Sequence, residues 1–222
     1  QKGDLTVRGS GSLTITATGS DHGAYINSNC TIEGGTLNVT TTGANANALY
    51  VEGSYTQKSG RVNLKSANRC LYTFGLSSLL GGALTLDGCD SGSYPAWHTY
   101  GDISITNCDL TITSCAGTGI SSDVAEKINV NINGSAEIDI DADRTGIWCS
   151  QLTISNVERL LVSSGSGYYA LYTQYLSLNS ALASSASDTS DGNNAYALTS
   201  SNFGSAKYAY IRSDIDLHVG GI

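Results

Sequence analysis

The stretch Gly11–Gly19 reads GSLTITATG, and Gly34–Gly43 reads GGTLNVTTTG. Both alternate an aliphatic residue with a small polar one and end on glycine, so each is a short strand with one face inward and one outward. Aligning the chain on this strand places an aliphatic residue at Leu13, Leu37, Val62, Leu84, Leu110, Ile138, Leu160 and Leu182, in steps of 22 to 28 residues.

Two further strands recur in step with it. One precedes it, as LTV from Leu5, CTI from Cys30, ISI from Ile103, INVNI from Ile128, LTI from Leu152 and LSL from Leu176. The other follows a long turn, as GAYIN from Gly23, ALYVE from Ala48, CLYTF from Cys70, AWHTY from Ala96, TGISS from Thr118, TGIWC from Thr145 and ALYTQ from Ala170. Three short strands per period, separated by glycine-rich turns, define a parallel β-helix. A sandwich does not produce phase-locked triplets, and a propeller blade needs four strands and about 40 residues. The expectation is an all-β solenoid of about eight to nine rungs forming a single domain over residues 1–222.

Composition narrows the function. The formal net charge is −8, from 19 acidic and 11 basic residues, which argues against nucleic acid because that partner demands a basic footprint. No apolar run approaches the ~18 residues of a membrane-spanning helix, so membrane insertion is not expected. There is no methionine and no leader pattern, and the repeat resumes after Phe203 and stops mid-rung. The expectation is a mature or excised piece of a longer secreted protein, attached to other domains. The repeat is irregular at Leu76–Tyr100, at Asp123–Lys127 and in the polar loop Ser184–Asn194.

Six cysteines contain no CxxC pair, so zinc-ribbon and thioredoxin chemistry have no support. Cys89 and Cys115 each lie five residues after their core leucine, in the same column of adjacent rungs. A rung step of ~4.8 Å falls inside the ~4.4–6.8 Å window for a disulfide. The spacing leaves a disulfide and an unbonded stack of buried thiols both open, with the stack favoured. The other four read as small apolar fillers.

Two outward clusters carry candidate chemistry. In EIDIDADRTG, Glu137, Asp139, Asp141 and Asp143 share one parity of a strand, so their carboxylates face the same side. Clustered oxygen donors are what Ca2+ requires, although Arg144 is a candidate to neutralise them instead. In the third strand, the residues after each core position are Tyr50, Tyr72, His98, Ser121, Trp148 and Tyr172, an outward column whose ring faces suit sugar rings. The alternative is ordinary aromatic stacking under the long turns. Thr and Asn ladders on the second strand suit an exposed pleated face. Lys65, Asp87, Asp139 and Asp141 interrupt them too often for ice binding. No HExxH, GxSxG or phosphate loop occurs. Only Arg144 beside Asp141 and Asp143, or Asp87 and Asp141 two rungs apart, offers a lyase or hydrolase geometry.

From Cys30 to Tyr50 the chain reads CTIEGGTLNVTTTG followed by ALY, and this pattern echoes through Tyr172. It resembles the pectate-lyase-like right-handed parallel β-helices described as carbohydrate-binding proteins of clostridial and gut Firmicutes cell surfaces. The resemblance implies a right-handed coil, export to the bacterial surface, calcium sites and binding of plant-wall polysaccharide such as polygalacturonate. The functional expectation is a non-catalytic, secreted or cell-surface polysaccharide-binding module, calcium-assisted, with Tyr50, Tyr72, His98, Trp148 and Tyr172 on the ligand. The alternatives are a structural adhesin or spacer and, less favoured, a polysaccharide lyase.

Overall fold

A computed structural model describes residues 2–90, 92–122, 128–165, 168–179 and 208–211. Its described residues contain strands and no helix, hence none long and apolar enough to cross a membrane. The chain is a parallel β-solenoid of about six turns. The repeating strand found in the sequence forms a seven-stranded parallel sheet from Ser12–Ala17, Thr36–Thr41, Arg61–Ser66, Gly82–Gly88, Cys108–Cys115, Glu137–Ala142 and Arg159–Ser164. Among the described residues the coil count is a little below the eight to nine expected, and the rung assigned to Leu182 lies outside the described residues.

Register follows the sequence alignment at every described step: Leu13 pairs with Leu37, Leu37 with Val62, Val62 with Leu84, Leu84 with Leu110, Leu110 with Ile138, and Ile138 with Leu160. Two residues on, Ile15, Val39, Leu64, Leu86, Ile112, Ile140 and Val162 form a second inward column. From Leu37 onward both columns are buried, whereas Leu13 on the end coil is 45% exposed. The preceding and third strands make up a 14-stranded sheet, because Ile147–Ser155 and Leu171–Asn179 each run through both series without a break. Tyr208–Ile211 adds a further parallel strand on Leu171–Asn179.

The first-strand series contains two rungs that start on a hydroxyl-bearing side chain, Tyr55–Gln57 and Ser77–Leu79. Both still point inward, and their polar groups are satisfied inside the bore. The Tyr55 hydroxyl donates to Gln57 Oε1 at 2.9 Å, and Gln57 Nε2 donates to the Ala83 carbonyl at 3.0 Å. Ser77 Oγ and Trp97 Nε1 both donate to Thr73 Oγ1, at 3.2 and 3.3 Å. Buried polar groups are tolerated when they are paired in this way.

Turns are stacked as strictly as strands. Between the first and second strands, left-handed residues recur at Gly35, Gly60, Gly82, Asn107, Gly134 and Asn156. Glycine or asparagine is expected there, because other side chains crowd the backbone at positive φ. Before the first strand, a side-chain acceptor caps the next coil. Asp4 takes the Asn29 N–H at 3.1 Å, Asn29 takes that of Ser54 at 2.9 Å, and Asp102 takes that of Asn129 at 2.9 Å.

Cys89 and Cys115 are bonded, with Cα atoms 4.8 Å apart, which corrects the preference for free thiols. The bond clips the ends of two second strands beside a register shift between Ile112 and Cys115, where the hydrogen-bonded ladder is irregular. Cys30, Cys70, Cys108 and Cys149 are buried thiols, and burial pushes them up to about 12.

Two stability predictions follow from this stacking. A Cβ at Gly60 would sit 2.6 Å from the Gly35 carbonyl oxygen at a φ of +81°. Gly60→Ala should therefore lower unfolding free energy by at least about 1–3 kcal/mol. Gly11→Ala, with nothing within 4 Å, should stay within about 0.5 kcal/mol in the same denaturant titration. Replacing both Cys89 and Cys115 by serine opens a loop of 26 residues and should cost about 2–4 kcal/mol, measured as the difference in denaturant midpoint between oxidised wild type and variant.

Candidate functional site

The third strands place Tyr25, Tyr50, Tyr72 and His98 one above another, in register. Coil spacing then sets ring spacing. Centroids are 5.1, 4.8 and 4.6 Å apart with interplanar angles of 25°, 16° and 20°. His22 lies on Tyr50 as well, at 4.8 Å and 20°. Beside the column, Phe74 stacks on Tyr100 at 5.0 Å, and the Arg69 guanidinium sits 4.0 Å over Tyr94 and 5.2 Å over Tyr72.

This geometry alters the part assigned to three ligand-binding candidates. Tyr50, Tyr72 and His98 turn their ring faces to one another, so edges, not faces, meet solvent along the outside. His98 is only 1% exposed, which corrects the expectation that it stands open to a ligand. Tyr25 belongs to the same column, and its strand was legible as GAYIN. Its hydroxyl donates a hydrogen bond to the Glu52 carboxylate, which raises the phenol above its usual range.

Ser121 interrupts the column, and Trp148 and Tyr172 continue it on the next coils. Here the rings do not lie flat on each other. Their centroids are 5.5 Å apart and their planes cross at 75°, and Trp148 is 39% exposed. A cavity of about 270 Å3 opens beside them, lined by Thr118, Arg144, Thr145, Trp148, Tyr168, Tyr169 and Tyr172. The Arg144 guanidinium stands 5.7 Å over the Tyr168 ring. Trp148 and Tyr172 were read from the strand pattern. Arg144, Tyr168 and Tyr169 come from turns on successive coils, where strand periodicity is silent.

A larger groove of about 880 Å3 runs over the stacked glycine turns, from Gly9 and Gly35 to Ser135 and Glu137. It presents backbone, small polar side chains and charges but no ring, so it offers nothing for a sugar face to stack on.

The acidic strand is arranged differently from the expectation that Arg144 would balance it. Glu137, Asp139 and Asp141 do face outward, and Glu137 pairs in register with Arg159 of the next coil. Arg159 Nη2 lies 2.8 Å from Asp139, and Nη1 lies 3.9 Å from Glu137. Ser163 Oγ donates to Asp141 at 2.7 Å. Asp143 is exposed at the strand end. Among the described residues no group of three or more His, Cys, Asp or Glu side chains is gathered to hold a metal ion. In this arrangement the Asp139 carboxylate is engaged by a guanidinium. The carboxylates considered for hydrolysis are engaged too, Asp87 by Lys65 at 2.7 Å and Asp141 by Ser163. Arg144 points to Tyr168, away from the part a lyase base would need.

Comparison of the chain with protein-family models, with curated proteins and with solved structures found no match. The architecture is a parallel β-solenoid, consistent with the fold of pectate-lyase-like proteins, carrying an aromatic column along one edge and an aromatic, arginine-containing cleft beside Trp148 and Tyr172.

His22 ties the column to acidity of the medium. Its Nδ1 accepts the Asn47 N–H at 3.0 Å, so the neutral ring is the bonded form. Burial holds the imidazole below its usual range, against an opposing pull from Asp21. The unfolded chain then binds this proton more tightly than the folded one. The contribution is complete above about pH 6.5 and is lost as pH falls through the lowered folded value. The melting temperature of wild type should decline between neutral pH and about pH 5 by more than that of His22→Asn, followed by circular dichroism in matched buffers.

Proposed function

We propose that this chain is a secreted or cell-surface polysaccharide-binding module of the bacterial envelope, non-catalytic, whose ligand is a plant-wall or other acidic glycan. One observation carries the reading: Trp148, 39% exposed, lines a cleft together with three tyrosines and an arginine. Aromatic faces hold the CH-rich side of a sugar while their polar tips stay wet. A guanidinium recognises a carboxylate through paired donors. Among the described residues the ion pairs belong to Lys58, Lys65 and Arg159, and Arg144 stands outside them.

Export is supported by the Cys89–Cys115 bond, since structural disulfides persist in oxidising compartments. The resemblance to surface proteins of clostridial and gut Firmicutes points the same way. Calcium, if it assists, acts away from the cleft, whose lining contains no carboxylate.

A second reading has its own observation. Most of the aromatic column is consumed in stacking, which is what a rigid spacer or adhesin rod needs. The two readings separate experimentally. Trp148→Ala should weaken retention on an acidic wall glycan by at least about tenfold in affinity electrophoresis. Arg144→Gln should abolish the preference for acidic over neutral glycans and the sensitivity to added salt. Retention that survives both changes, or that never occurs, leaves the spacer reading. Repeating the measurement with chelator tests the calcium-assisted form.

A further inference from the structure

We infer that the cleft receives a single terminal sugar residue of its glycan, so that the module recognises chain ends instead of tracking along a polymer. This rests on the polysaccharide reading above and adds the mode of engagement.

The natural expectation for an aromatic column on a solenoid is a ladder of subsites, one sugar per coil. The ring geometry opposes it. From Tyr25 to His98 the centroids are 4.6 to 5.1 Å apart and nearly parallel, so both faces of Tyr50 and Tyr72 are covered by neighbouring rings, while Tyr25 at the end of the run is 40% exposed. A glycan running along the axis there would meet only ring edges and hydroxyls. Where the column is interrupted, Ser121 is 5% exposed and His98 is 1% exposed, so the gap between His98 and Trp148 is covered rather than open.

At Trp148 the stacking changes: Tyr172 crosses the indole at 75°, and Trp148 is 39% exposed. The space in front of it is about 270 Å3. That falls just under the ~300–1,000 Å3 of sites for drug-sized molecules, enough for one pyranose ring and its substituents. The turns carrying Arg144 and Tyr168 are held together on successive coils, with the guanidinium 5.7 Å over the phenol ring. Both residues line the cleft. Hydrogen-bonding groups gather there as well, from Thr118, Thr145 and Arg144. One ring, one indole face and one guanidinium is the recognition set of an end residue with an acidic group.

The test is isothermal titration of the folded protein with a free uronic acid and its linear oligomers of increasing length, at equal molar concentration of chains. The dissociation constant per chain should level off by the dimer and then stay within about twofold. A Tyr50→Ala/Tyr72→Ala variant, confirmed as folded by circular dichroism, should give the same constants within about twofold. Trp148→Ala should lose at least about tenfold at every length. Affinity that climbs with each added residue, or that falls in the Tyr50/Tyr72 variant, overturns end recognition while leaving the polysaccharide reading intact. No binding by wild type at any length overturns both.

Discussion

Each coil of this protein hydrogen-bonds to the one above and below through parallel strands, and that bonding permits one vertical step. The step appears directly as the 4.8 Å between the Cα atoms of Cys89 and Cys115, the strand spacing of any sheet. Because register is held from Leu13 to Leu160 without a slip in the inward columns, every position in a coil is repeated by its equivalents. Apolar equivalents become a bore, left-handed equivalents become a turn column, and acceptor equivalents become a series of caps. A side chain in this fold is chosen for what lies one coil away more than for what lies beside it in sequence.

The same step governs the aromatic edge. Flat rings set about 4.8 Å apart fall close to stacking distance, so a run of aromatic residues in one column closes on itself. The stack from His22 to His98 therefore stiffens the edge and surrenders its faces. The proposed binding surface lies where the run fails. Ser121 supplies no ring, Trp148 is not matched by a parallel partner, and the turn residues Arg144 and Tyr168 swing beside it. The useful surface is a defect in the repeat, in keeping with the tendency of functional sites to break local rules.

How much of this was legible in the sequence depends on which kind of neighbour decides. The core was legible, because Leu37, Val62, Leu84, Leu110 and Ile138 answer to a period and to water alone. The strands at Tyr55 and Ser77 escaped the pattern because they send polar side chains inward and satisfy them there. In the turn column, Asn107 and Asn156 do the work of glycine, so a search for glycine alone misses the position. Arg144 seemed the natural counter-ion for Asp141 and Asp143, only a few residues away. Register instead sets Arg159 directly over Glu137, where it pairs with Glu137 and Asp139, while Asp141 accepts from Ser163. Tyr168 and Tyr169 lie in a turn whose length varies from coil to coil, so no periodicity announces them.

Charge gives the cleft its meaning. The chain carries a formal net charge of −8, and Asp109, Glu137, Asp141 and Glu158 are exposed on its flanks. The net negative charge of the rod opposes an acidic polymer laid full length against it, a repulsion that falls off over a Debye length, about 8 Å at physiological salt. An end residue meets a different field. Its single carboxylate approaches a guanidinium outside the rod's own ion pairs, backed by an indole face, while the rest of the polymer extends away into screened solvent. On the proposed reading, an acidic solenoid holds an acidic glycan at a point.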